Sequence, residues 1–324
     1  EDTIPFDFDD LNSPHIAGTE KTLINISLEL SNTNSYNVVV FNRSLIEKSK
    51  KNLLWTNLDK LNDFPEPDIL VASSDAGLLN LINAKKKFIW SHSVQSIEKF
   101  IRKKQLFPFL KNKPTVILEG QYHFDTRGFF TSFYGKKVLK LAADYDFIKS
   151  KIDPNFIPEK KVIFNTRNDR NLDLIINNWF KIRNNTPDVK LLINPPFKEN
   201  EFSIKNNIIV RKKGDKSELI KDLINSRVMI NPGHKGEVFC LAAEEARVLC
   251  LPIITMGYGA LKERVEHGVT GFISKNLKEF VQYSKDVLFD DRLYLFLKKN
   301  LYERRLLRSY KNVVSDFINI INGN

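Results

Sequence analysis

The chain has 324 residues, more than one hydrophobic core usually organises, so two domains of about 150 residues each are expected. Hydrophobic residues make up 42% and charged residues 27%, which excludes a disordered chain and allows sizeable cores. A net charge of +11 and a pI ≈ 9.4 suit anionic partners such as phosphates or an acidic membrane surface, although a Lys- and Asn-heavy residue usage produces the same excess, so charge alone assigns no function.

Residues 20–31 (EKTLINISLELS) space apolar side chains three and four apart and predict a helix, followed by short strands at 36–41, 68–72, 87–90 and 114–118. A second helix is predicted within 94–104. Alternation of this kind argues a mostly parallel sheet covered on both faces. The pattern restarts after the proline-marked stretch IDPNFIP at 152–158. Strands are then predicted at 161–164, 189–193, 207–210, 228–230 and 251–254, with helices at 171–182, 216–225 and 239–249. The expected organisation is an N-terminal domain over 1–155, a second over 156–300 and a terminal helical segment over 301–324. A cleft is expected between the two α/β halves. Cys240 and Cys250 lack metal-ligand spacing, which argues reduced thiols. No apolar run approaches a membrane span and no signal peptide opens the chain, so a cytoplasmic location is expected.

The stretch GEVFCLAAEEARVLCLPIIT (236–255) sets Glu237 and Glu245 eight positions apart. On one continuous helix they would lie roughly 12 Å apart along the axis, too far to share a proton. They serve better as two handles on one long ligand. If Glu237 sits in the loop after the strand at 228–232, a helix starting near Phe239 carries Glu245 on its second turn. The positive end of that helix then lies between them, where a diphosphate would bind. A carboxylate can also accept both hydrogen bonds of a cis-diol such as a ribose.

Residues 231–272, with Glu237 and Glu245 in an E-x7-E pattern and VEHGVTGF at 265–272, resemble the nucleotide-sugar site of retaining glycosyltransferases of family 4. That resemblance implies the GT-B fold, α/β with two Rossmann-like domains; the family carries a full strand before the first helix, whereas here only EDTIPFDFDD precedes it, so the first domain is expected to lack that strand. It also implies that Glu245 holds the nucleotide ribose and Glu237 a hydroxyl of the transferred sugar. Val238 and Cys240 stand where the family has glycines, a departure that bears on donor identity. Phe239, Gly257 and Gly259 fall within the family's donor-binding positions. VIFNTRNDRNLDLII (162–176) resembles the family's cationic loop, with Arg167 and Arg170 on or near the positions that neutralise the donor diphosphate. PHIAGTEKTLINIS (14–27) resembles its glycine-rich loop, giving Gly18 and Thr19 donor contacts. His92, in FIWSHSVQS, stands where a histidine faces the transferred sugar.

Taken together, the resemblance implies a metal-independent transferase that uses a UDP- or GDP-sugar and no cofactor. Its partners would be the donor and a glycan, lipid or small-molecule acceptor. IEKFIRKKQLFPFLKNK (97–113) interleaves Arg102, Lys103 and Lys104 with Phe107 and Phe109, a surface suited to an anionic membrane at the inner face or to the acceptor. A catalytically inactive GT-B binding protein and a nucleotide-sugar epimerase of the same fold are the rival readings. Nucleic acid is not expected as a partner, because it gives no reason for the glutamate pair.

Overall fold

A computed structural model describes residues 5–13, 15–194, 207–211 and 215–323. The chain divides into two compact units, Glu1–Leu141 with Tyr310–Asn324, and Ala142–Ser309.

The first unit begins with Phe6 and Phe8 packed edge-on against the buried Trp55 ring, at centroid distances of 5.5 and 6.3 Å. Asp7 caps a short 3-10 helix there by accepting from the Asp9 amide. Among the described residues no strand precedes helix α1 (Gly18–Asn32). Strands β1 (Val38–Asn42), β2 (Lys48–Lys50) and β3 (Leu53–Asn57) form one sheet in the order β1-β3-β2, with β1 and β3 parallel. A second sheet runs β4 (Ile69–Ser73), β5 (Lys86–Trp90), β6 (Thr115–Leu118) and β7 (Lys136–Val138), all parallel and in chain order. Its core holds Ile89, Val116 and Leu118 with Phe100 and Phe109, which project from α2 (Ile97–Arg102) and α3 (Leu106–Asn112). Each fully buried side chain of this size contributes about 1.5–3 kcal/mol. A short helix α4 (Gln121–Thr126) follows β6.

The second unit opens with α5 (Tyr145–Ile148). Its division from the first unit lies at Leu141/Ala142, ahead of the proline-marked boundary expected at 155. The cause is apolar: Ala143 and Phe147 are buried in a core shared with Leu223 and Leu251. Six parallel strands follow, β8 (Lys161–Phe164), β9 (Lys190–Ile193), β10 (Ile208–Val210), β11 (Val228–Ile230), β12 (Ile253–Thr255) and β13 (Gly271–Ile273), in the order β10-β9-β8-β11-β12-β13. Helices α6 (Leu172–Ile182), α7 (Lys216–Ile224), α8 (Leu241–Val248), α9 (Leu277–Phe289) and α10 (Asp291–Glu303) cover the sheet. The central strands β8, β11 and β12 are buried on both faces, as their near-continuous Val/Ile runs require.

One feature of the second unit places its site. Strand order reverses between β8 and β11, so the loops leaving those neighbouring strands open side by side at the carboxyl end of the sheet, where such folds take ligands. The chain then returns to the first unit as α11 (Tyr310–Asn322), which packs on α1, with Thr22 Oγ1 and Tyr310 OH 3.3 Å apart. No helix of the described residues is long and apolar enough to cross a membrane.

Candidate functional site

The loop after β8 carries Arg167, Asp169 and Arg170, and the loop after β11 carries His234 and Glu237. The strand order makes these loops neighbours. Arg170 spans them: its Nη1 lies 3.0 Å from His234 Nδ1 and its Nε 3.8 Å from Glu237 Oε2. His234 Nδ1 also accepts from the Gly236 amide at 2.9 Å, so this nitrogen acts as the acceptor of the ring. Arg167 is more exposed and forms a two-point pair with Asp169 at 3.1 and 3.0 Å. Asn171, in a left-handed conformation ahead of α6, donates to the Gly233 carbonyl and ties the two loops again.

Glu237 is the site's most unusual group. Burial pushes its carboxyl above the ordinary carboxylate value, while a hydrogen bond with the Cys240 thiol and the Arg170 charge pull the other way. Its Oε2 is buried and accepts no hydrogen bond among the described residues, so a donor hydroxyl placed there would offset the cost of burying it. Helix α8 starts at Leu241, so Glu245 lies on its second turn as the sequence predicts. No side chain caps this helix start, and Cys240 holds the preceding position with φ +65°. The thiol is buried and raised well above its ordinary pKa, which makes it an inert packing group.

The glycines act behind the site. Gly259 has φ +68°, and a Cβ there would stand 2.4 Å from the His234 carbonyl oxygen and 2.7 Å from that of Glu237. Gly257, at φ +70°, leaves no room against Ile273. The Ala260 amide donates to the Glu237 carbonyl at 2.9 Å. The segment 257–260 therefore presses directly on the Glu237 loop and fixes it. Phe239 is buried with its ring under the Arg264 guanidinium at 3.9 Å, so its side chain is spent on packing.

In the first unit, Gly18 begins α1 and Thr19 is exposed beside it, at a helix start that no side chain caps. His92 follows β5, and its Nδ1 lies 2.7 Å from Glu119 Oε1 at the end of β6. A carboxylate only accepts, so Nδ1 carries the proton and Nε2 is the ring's other, unprotonated nitrogen in the neutral form. The His92 amide is held by Ser74 Oγ at 3.3 Å. Behind this pair lies the buried His123, whose Nδ1 accepts from the Glu119 amide and whose Nε2 meets the Ser93 carbonyl. Desolvation lowers its pKa to about 4. Arg127, also buried, donates to Thr131, Ser91 and Gln95. Sequence reasoning missed Glu119 and Arg127; the signal for Glu119 was a lone carboxylate at a predicted strand end.

The basic and apolar stretch 97–113 divides on folding. Arg102, Lys103, Lys104 and Phe107 are exposed, but Phe109 is buried against Phe100 and Tyr134 and does not belong to the patch. Phe129, Phe130 and Phe133, absent from the sequence reading, are also exposed, and Phe129 meets each of the other two edge-on. Among the described residues no group of three or more His, Cys, Asp or Glu side chains is arranged to hold a metal.

Residues 150–304 match the family model of Glycosyl transferases group 1. The match covers just under half of the chain and takes in Arg167, Arg170, His234, Glu237 and Glu245, so the site of the second unit lies in a glycosyltransferase-type segment. The fold is GT-B, with two Rossmann-like domains. Sucrose-phosphate synthase from Thermosynechococcus elongatus is similar over 97% of this chain and 96% of its own, with 13% identity and a TM-score of 0.72. WaaG, a glycosyltransferase involved in lipopolysaccharide biosynthesis, is similar over 95% and 97%, with 10% identity and a TM-score of 0.70. A variant of TarM from S. aureus, in complex with fondaparinux, alpha-GlcNAc-glycerol and UDP, is similar over 78% of this chain, with 16% identity and a TM-score of 0.59. This chain spans 55% of that TarM chain's length. No curated protein matches the sequence of the chain.

Proposed function

We propose that the chain is a retaining glycosyltransferase of family 4 type, moving a sugar from a UDP- or GDP-sugar to an acceptor hydroxyl. The observation that supports this most is the orphaned, buried Oε2 of Glu237 beside Arg170, at the strand-order reversal of a glycosyltransferase-type segment. Arg167, Arg170 and the uncapped start of α8 supply positive charge for a departing diphosphate. Glu245 takes the ribose and Glu237 a sugar hydroxyl. The acceptor oxygen bonds to the anomeric carbon on the face from which the phosphate leaves, and the acceptor proton passes to that phosphate. No protein nucleophile is required, and cationic side chains do the work of a metal. His92 offers Nε2 to a sugar or acceptor hydroxyl, and Gly18 and Thr19 offer the start of α1 to phosphate.

The UDP bound in the TarM structure makes a uridine nucleotide the first donor to test. The acceptor is a lipid, a surface glycan such as lipopolysaccharide, or a small molecule. The exposed phenylalanines beside a basic surface support peripheral attachment at the inner face of the membrane.

Isothermal titration of UDP, GDP and ADP, then of their sugars, into wild type and Glu245→Ala tests the donor reading. One nucleotide should bind and lose at least about tenfold in affinity without the carboxylate, the scale of one charge-assisted hydrogen bond. If no nucleotide binds, the chain is a GT-B scaffold without donor function.

A further inference from the structure

We propose that the first unit holds a second anion site, for a compact ligand carrying two or more clustered phosphate groups. A cavity of about 630 Å³ opens at the amino ends of β5, β6 and β7, with the last turn of α11 as one wall. Lys85, Lys86, Lys87, Lys111, Lys113 and Lys137 line it, and no carboxylate does. Phe88, Ile320 and Ile321 contribute apolar surface.

The partners of these lysines fall into three groups. Lys85 pairs with Asp68 at 2.6 Å, outside the lining. Lys86 donates to the carbonyls of Ile321 and Asn322 at 3.0 and 3.1 Å, and Lys87 to Asn112 Oδ1 at 2.8 Å. These uses keep the charge of both. The side chains of Lys111, Lys113 and Lys137 make no hydrogen bond or ion pair among the described residues. Six ammonium groups thus surround a concave space whose lining holds no carboxylate, and Asp68, outside it, pairs with one of them. Like charges so gathered repel, and a multivalent anion removes that repulsion at several points at once. A single phosphate would engage only part of the ring, whereas a chain of phosphates reaches most of it.

The cavity is separate from the site proposed above. Lys86 begins β5 and His92 follows its end, six residues on, a distance of about 20 Å along an extended strand. A parallel sheet offers its carboxyl ends to a sugar donor, and this cavity lies at the amino ends.

The test uses inorganic tripolyphosphate, titrated into wild type, into Lys111→Gln/Lys113→Gln/Lys137→Gln and into Arg167→Gln/Arg170→Gln. The three lysines are exposed and unpaired, so the triple variant should melt at the wild-type temperature. The arginine variant, which lacks the cations assigned to the donor diphosphate, should keep tripolyphosphate binding at the cavity, the lysine variant should lose that binding at least tenfold, and added salt should weaken all binding. Sedimentation with phosphatidylcholine vesicles containing cardiolipin separates the sources of the ligand. Lysine-dependent capture by vesicles, with or without tripolyphosphate binding, assigns the site to a lipid headgroup, and tripolyphosphate binding alone assigns it to a free oligophosphate. The proposal is overturned if neither probe binds, or if binding survives in the lysine variant.

Discussion

Glu119 holds His92 by a hydrogen bond that dictates which ring nitrogen carries the proton, and this gives the carboxylate a positioning role distinct from packing. In Glu119→Gln the amide can donate to Nδ1, which releases the opposite tautomer with almost no change of volume. Nitrogen-detected NMR of the imidazoles should show His92 protonated on Nδ1 in the wild type and shifted toward Nε2 in the variant. Unchanged tautomers would remove the role. His123 behaves differently because burial keeps it neutral. Its pKa of about 4 lies below the ordinary 6.5, so the unfolded chain takes up a proton first as pH falls. Stability is therefore complete above pH 6.5 and declines as pH drops toward 4, by roughly 3 kcal/mol from this group. Melting between pH 7 and 5, where most carboxylates stay ionised, should fall in wild type and stay flatter in His123→Gln. At this scale motif spacing gave the placement of Glu237 in the loop after β11 and of Glu245 on the second turn of α8. It was silent on Glu119, because a strand-end carboxylate acquires a partner only when two loops meet. Phe109 was misread since a helix of seven residues gives too few turns to separate the inward face from the outward one.

The elements found from sequence are those whose apolar runs are long enough to betray burial, such as VIF in β8 and VMI in β11. The strands β2 and β7 read KSK and KKV, and nothing in such lysine-rich triplets marks a strand until a neighbour supplies the hydrogen bonds. The same limit applied to the domain boundary: prolines 154 and 158 marked a break in periodicity, but buried Phe147 upstream assigns the segment to the second unit. Nor could sequence foresee that the segment 257–260 braces the Glu237 loop. Gly259→Ala places a methyl within 2.4 Å of the His234 carbonyl oxygen, so one loop must retreat, at a cost of about 2–4 kcal/mol. Gly268→Ala is the internal control. Its φ of +76° is equally left-handed but a Cβ there meets nothing within 4 Å, so only the backbone strain of about 1 kcal/mol remains. Denaturant melts of the two variants should differ by at least 1 kcal/mol. Nucleotide binding should weaken in Gly259→Ala alone, because only that substitution displaces Glu237.

Across the whole molecule, the net charge of +11 is not spread evenly over an apolar-free surface. Phe107, Phe129, Phe130 and Phe133 are each more than half exposed. Helix α2 packs against the 129–131 segment, and Tyr134 OH donates to the Leu110 carbonyl, so these side chains and the exposed Ile97, Ile101 and Leu110 belong to one face of the first unit. Arg102, Lys103 and Lys104, at the end of α2, are exposed beside it. A water-exposed face of this composition is costly for a monomer, and these cations select an anionic surface to cover it. Phenylalanines entering the headgroup region and lysines facing lipid phosphates would act together, with the apolar part insensitive to salt and the basic part weakened by it. Sedimentation with phosphatidylglycerol vesicles should capture the protein, whereas pure phosphatidylcholine should not. Replacing Phe129, Phe130 and Phe133 by Ser should reduce capture at least tenfold, while the melting temperature, set by side chains buried elsewhere, stays within a degree or two of wild type. Equal capture by the variant would assign membrane binding to charge alone. No capture of the wild type at low salt would leave this face to a protein partner, with a concentration-dependent dimer as the first species to look for.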